Sequence, residues 1–258
     1  MQIGSEIILS TEQLQTLLDE LNARDFETVG PTVRDAAIVL DTIRSLSQLP
    51  VGWTDQQDNG SYRLTPTDSP ALFDYTCGPQ SWKKFLHPSE CTLSRMEQKG
   101  RSFEVGTADR PVPRRAFLGV RPCELKALAL HDRALSTPPY ADPVYTQRRN
   151  NAMILAVNCT RPGGTCFCAS MGTGPGVTEG FDLALTELTN DGDHRFVVEI
   201  GTEAGLELVQ CVSPQPASEA DCQRERELLS RAEQNMGRTV PHPHLRDDIP
   251  RYLDSPQW

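Results

Sequence analysis

Two short runs near the middle of the chain, AFLGV (116–120) and MILAV (153–157), are apolar throughout and show no alternation. Runs of this kind suit strands buried on both faces of a parallel sheet. The first ends in Arg121-Pro122-Cys123 and is followed by ELKALALHDRAL, whose apolar residues recur at helical spacing. The second ends in Asn158-Cys159. A strand–helix–strand unit with a right-handed crossover sets both runs in one sheet. The turns after them then fall at the carboxyl ends of the strands, where open α/β sheets bind ligands.

Upstream, Ser10 and Gln13 make a capping box before LQTLLDEL and predict a helix to about Asn22. Phe26–Val33 and Ala36–Ile43 read as strands, and RSLSQL as helix-like. Asn59-Gly60 before SYRLTPT is a hairpin signal. Pro79-Gln80-Ser81 opens a helix, SWKKFL, that stops at Pro88; SFEV and a basic, proline-bearing linker from Asp109 to Arg115 follow. Downstream, FDLALTEL and RFVVEI flank Asn190-Asp191-Gly192-Asp193 as a hairpin. A last helix runs from Glu219 to Met236 with Gly237 as its cap, before a proline-bearing extended tail over 238–258. The pattern predicts an α/β fold, with α+β as the alternative: a central mixed sheet with parallel core strands 116–120 and 153–157 and flanking helices. The chain reads as one domain, 1–258, within which 1–110 can form a semi-independent subdomain.

Length and charge narrow the classes. At 258 residues the chain can bury a substantial core. A net charge of −10 argues against nucleic acid or an anionic membrane as partner, since both are bound through basic patches. No apolar stretch approaches the ~18 residues of a membrane span. The opening MQIGSEIILS has neither a basic leader nor an apolar core of signal-peptide length, so a cytoplasmic location is expected, where disulfides are rare.

Eight cysteines in that compartment lean towards metal or redox chemistry. Cys77, Cys91, Cys211 and Cys222 are scattered and look incidental. Cys159, Cys166 and Cys168 crowd into NCTRPGGTCFC, and topology adds Cys123, giving C-x₃₅-C-x₆-C-x-C. Four thiolates suit tetrahedral zinc or an iron–sulfur cluster. Zinc knuckles usually space paired cysteines by two to four residues, so the lone Phe167 between Cys166 and Cys168 serves a larger cluster better. The spacing by itself leaves cluster and zinc both open. Gly163, Gly164, Gly172 and Gly174 let backbone approach the sulfurs closely. Arg121, Lys126 and Arg161 would offset thiolate charge.

Plainer readings stand beside these. Cys123 can simply cap a buried strand. The loop from Met171 to Gly176 lacks the Lys-Ser/Thr ending of a phosphate loop and more naturally shapes the cysteine loop. Lys83 and Lys84 fit the solvated face of an ordinary helix, and His242 and His244 a surface tail.

FLGVRPCELKALALHDR, DPVYTQRRNNAMILAVNCTRPGGTCFCASMGTGPGVTEGFDLALTEL and GPQSWKKFL resemble the iron–sulfur electron-transfer β-subunits of cytosolic sulfhydrogenases and the related A subunit of anaerobic sulfite reductase. The likeness runs from about Ala71 to Arg238. Family members carry a further C-terminal ferredoxin-like domain with two clusters on C-x₂-C-x₂-C-x₃-C-P runs. This sequence stops at Trp258, about where that domain should begin, and so reads as the N-terminal domain of a longer protein. The resemblance implies that Cys123, Cys159, Cys166 and Cys168 hold an additional cluster, of 4Fe-4S type. It also implies an electron-relay role, without bond chemistry of its own, among other subunits of a redox complex. The alternatives are a zinc-bound or metal-free docking domain that assembles such a complex, and a flavin-holding component.

Overall fold

The computed structural model describes residues 1–76, 78–92, 94–107, 112–190, 193–241 and 249–256. In chain order the elements are β1 (Glu6–Ser10), α1 (Thr11–Ala23), β2 (Phe26–Arg34), β3 (Ala37–Thr42), β4 (Trp53–Asp58), β5 (Ser61–Pro66), α2 (Lys83–Leu86), β6 (Ser94–Lys99) and β7 (Ser102–Thr107). There follow β8 (Arg114–Val120), α3 (Pro122–Leu135), α4 (Pro143–Asn150), β9 (Ala152–Val157), β10 (Leu183–Asn190), β11 (Asp193–Ile200), α5 (Glu203–Val209), β12 (Gln215–Pro216) and α6 (Glu219–Gln234).

Eight strands form one mixed sheet in the order β12-β1-β11-β10-β9-β8-β2-β3. Its centre is parallel: β2 with β8, β8 with β9, and β9 with β10. The two apolar runs are therefore adjacent parallel strands, as their lack of alternation predicts. Met153, Leu155 and Val157 of β9 face one core, with α1 and α5; Ile154 and Ala156 face the other, with α2, α3 and α4. α6 lies against β10 on that second face, where Glu225 receives the Thr186 hydroxyl. Helices thus cover both faces, and the fold is α/β. Among the described residues no helix is long and apolar enough to cross a membrane.

The capping box at Ser10 and Gln13 is present, and α1 buries Leu14, Leu17, Leu18 and Leu21. Asn59-Gly60 turns the β4–β5 ribbon, with Gly60 at φ +67°. Several boundaries differ from the sequence expectations. RSLSQL contributes only a single 3₁₀ turn, Leu46–Gln48. SWKKFL is helical over four residues, Lys83–Leu86. Arg114 and Arg115 belong to strand β8 rather than to a linker, because they pair with Phe26 and Glu27 of β2. α6 ends at Gln234 with Asn235 as C-cap, so Gly237 is not the cap. Its bare backbone serves another purpose, described below. The turn between β10 and β11, the start of the linker and part of the tail include residues outside the described ones; within the tail Ile249–Tyr252 forms a 3₁₀ turn.

Candidate functional site

β8 delivers the first site residues through a break in its own pairing. Leu118 opposes Leu155, but Val120 opposes Ala156, leaving Gly119 as an extra residue at φ +95°. A Cβ on Gly119 would lie 3.2 Å from the Pro31 ring. Such a bulge re-aims the side chains that follow it. Val120 joins the second core, and Arg121 turns back towards the loop 73–75. There the buried guanidinium donates to the carbonyls of Phe73 at 2.7 Å and Tyr75 at 2.8 Å, and to Asn158 at 3.3 Å. The same loop is pinned from the other side by Glu187, which accepts the amides of Leu72 and Phe73.

α3 then starts at once. Pro122 occupies its first turn, and Glu124 accepts the Arg121 amide at 2.8 Å, closing the N-terminus. Cys123 sits in that first turn. At the neighbouring tip of β9, Asn158 accepts from Val177 and donates to Thr186 at 2.7 Å, and the buried Cys159 follows. Its amide donates to Pro175 and its thiol to the Arg161 carbonyl. Residues 160–167 loop out, and a 3₁₀ turn at Cys168–Met171, closed by left-handed Gly172, brings the chain back.

The four cysteines come together electrostatically. Cys123 keeps an exposed surface, yet the protein around its sulfur, then Glu124 and the other three cysteines, push its thiol up to about 12. Burial raises Cys166, with Cys159 adding to it; the Gly163 amide, 3.3 Å from the sulfur, and the Arg121 charge pull the other way. Burial, then Cys159 and Cys166, raise Cys168 against the opposing amides of Cys168 and Ala169. None of the four is in a disulfide. Among the described residues, no group of three or more His, Cys, Asp or Glu side chains closes tightly enough to hold one metal ion. Cys211 faces Glu20 and Arg24, and Cys222 donates to Glu6 at 3.0 Å, so these two stay apart from the quartet. Cys77, His242 and His244 lie outside the described residues.

The glycines divide their work. A Cβ on Gly174 would sit 3.0 Å from the Cys168 sulfur, the close approach expected of it. Gly163 and Gly164 instead press on Thr76 and on the Gln57 carbonyl, 2.9 Å and 2.3 Å from where a Cβ would stand. Arg161 is directed to Asp55 at 3.3 Å and Asp74 at 3.7 Å, and Lys126 to Glu179 at 3.6 Å. Lys84 donates to the Leu40 carbonyl at 2.7 Å, tying α2 to β3.

Sequence reasoning did not find the wall of this site. Asp55, fully buried, receives both the amide and hydroxyl of Thr76 as well as Arg161, and Gln57 receives the Thr165 hydroxyl at 2.8 Å. Both belong to β4, more than a hundred residues before the cysteine loop. Alternation in the ribbon signals a hairpin and says nothing of what the hairpin touches. Asn158 carried a signal, as a polar residue at the end of an apolar strand.

A three-layer α/β domain with a thiol-lined loop at the carboxyl ends of adjacent parallel strands is the class defined by this fold and site. No family model matches the chain. It is 34% identical over 154 residues to sulfhydrogenase 2 subunit beta of Pyrococcus furiosus, a match that takes in 58% of this chain and 42% of that protein. The chain therefore spans less than half the length of this relative.

Proposed function

We propose that this domain is an electron-transfer component of a multi-subunit cytoplasmic oxidoreductase, of sulfhydrogenase or anaerobic sulfite reductase type, holding a 4Fe-4S cluster on Cys123, Cys159, Cys166 and Cys168. The carrying observation is that β8 and β9 are adjacent parallel strands, so Cys123 and Cys159 follow neighbouring tips and Cys166 and Cys168 lie on the loop after β9. Thiols that close to each other need a cationic core to become thiolates together, because binding must displace their protons. The single residue between Cys166 and Cys168 suits a group with several metal atoms better than a zinc knuckle, whose paired cysteines stand two to four residues apart. The likeness to a protein named as a sulfhydrogenase subunit supports partner subunits for this chain.

A bound cluster would supply one-electron transfer, and the protein's own residues do the rest. Arg121, buried beside the quartet, offers a fixed positive charge that favours Cys166 as thiolate. The amides of Gly163, Cys168 and Ala169 favour anionic sulfur. Amides aimed at cluster sulfurs tune the reduction potential. Asn158 and Glu124 hold the two strand tips at which Cys159 and Cys123 begin their turns.

Serine substitutions test the ligand set. In protein reconstituted anaerobically with iron and sulfide, Cys123→Ser, Cys159→Ser, Cys166→Ser and Cys168→Ser are each expected to reduce or abolish the broad visible absorption. Cys211→Ser and Cys222→Ser should keep it. Full absorption in all four site variants would refute the assignment, and stoichiometric zinc in place of iron would favour a docking domain.

A further inference from the structure

After its C-cap at Asn235, the chain crosses the cysteine loop. The Met236 sulfur, half-buried, lies 3.8 Å from the Cys168 sulfur. Gly237 presses so closely that a Cβ would stand 2.3 Å from the Gly164 carbonyl oxygen and 2.6 Å from that of Gly163. The Arg238 amide donates to the Cys166 carbonyl at 2.8 Å. Its guanidinium reaches Asp58, also at 2.8 Å, at the tip of the β4–β5 ribbon. The Val240 amide donates to the Ser170 hydroxyl at 3.1 Å. Met236, Gly237, Arg238 and Val240 thus tie the loop on both sides of Cys166 and Cys168.

The β4–β5 ribbon holds this loop at Arg161 and Thr165, and the segment after α6 is the contact that reaches the backbone of Cys166 and the sulfur of Cys168. Between Cys159 and Cys168 it belongs to no strand or α-helix, and its local bonds are turns such as Cys166 amide to Gly163 carbonyl at 3.1 Å. Fixing such a segment costs backbone entropy at every residue, which contacts from elsewhere must offset. Gly237 allows that contact to be backbone on backbone, where no flexible side chain can yield. Met236 adds a soft, apolar group against sulfur.

We propose that residues 236–240 are a clasp on the cysteine loop, in which Gly237 and Met236 are positioning residues. Gly237 lets the clasp seat and fixes Cys166 and Cys168; Met236 keeps water from the Cys168 side of the site. The part played by Met236 rests on the cluster reading above, since water around the cluster sulfurs moves the reduction potential; the clasp itself does not.

The test uses the full chain and two readouts. In reduced, metal-free protein, Gly237→Ala should speed alkylation of Cys166 and Cys168 by iodoacetamide roughly tenfold or more through local opening. Ser170→Ala and Arg238→Ala each remove one tie without crowding the backbone and should speed it less. They carry the test if Gly237→Ala fails to fold. Cys211, exposed and remote, should react at one rate throughout. Wild-type rates at Cys166 and Cys168 in every folded variant would overturn the clasp. In anaerobically reconstituted protein, Met236→Gln should raise the midpoint potential of an electron paramagnetic resonance titration, while Met236→Leu restores the wild-type value. An unmoved potential in Met236→Gln would overturn the role of Met236. Wild-type protein that takes up no iron would overturn the cluster reading instead, and the alkylation rates would still decide the clasp.

Discussion

Gly119 shapes the site although it bears no side chain. At φ +95°, wedged against Pro31 and Phe73, it inserts the extra residue that turns Arg121 towards the 73–75 loop. Gly119→Ala is expected to cost about 1–3 kcal/mol, the strain of a left-handed non-glycine residue, read as a lowered urea midpoint. Asn158 is the matching residue on β9. Its amide nitrogen donates to Thr186 and its oxygen accepts from Val177, and the residue is buried. Asn158→Ala takes the acceptor from the Val177 amide and a donor from Thr186, which keeps its bond to Glu225, an expected loss of about 1–3 kcal/mol. A glycine inside an apolar run already suggests a bulge in the sequence. Which residue the bulge re-aims depends on strand register and on a loop almost fifty residues upstream, and no local pattern encodes either.

At the scale of elements, legibility followed burial. The runs 116–120 and 153–157 and helix α1 announce themselves because each buries a continuous or periodic apolar set. Helix α4 buries Tyr145 alone and therefore shows no periodicity, although Asp142 and Pro143 are proper start signals. Strand β6 is exposed at every position, so its polar sequence has nothing to alternate against. Asp142 makes α4 testable. Its carboxylate accepts the amides of Tyr145 and Val144, and these bonds, the Tyr145 bond foremost, hold it below the ordinary carboxylate value of 3.8. A lowered folded pKa gives stability that is complete above the unfolded value and is lost as pH falls through the folded one. Asp142→Ala should therefore cost about 1 kcal/mol at neutral pH, the usual worth of an N-cap. The gap to wild type should narrow as denaturation is repeated in buffers below 3.8.

For the whole molecule, distant segments build one corner. The tips of β8 and β9, the β4–β5 ribbon, the loop pinned by Glu187 and the chain leaving α6 all meet around NCTRPGGTCFC. That Cys123 and Cys159 share one edge was readable because both follow the tips of strands in one parallel sheet. The ribbon and the clasp were not, because their ties to the loop are hydrogen bonds and close backbone contacts between residues far apart in sequence. The central claim is that this corner holds iron and sulfide. Its most direct test is the iron, zinc and acid-labile sulfide content of the full chain after anaerobic purification and reconstitution. About four iron and four sulfide atoms per chain, with broad visible absorption that bleaches on reduction, is the expected result. A colourless protein with no iron and no labile sulfide would contradict it.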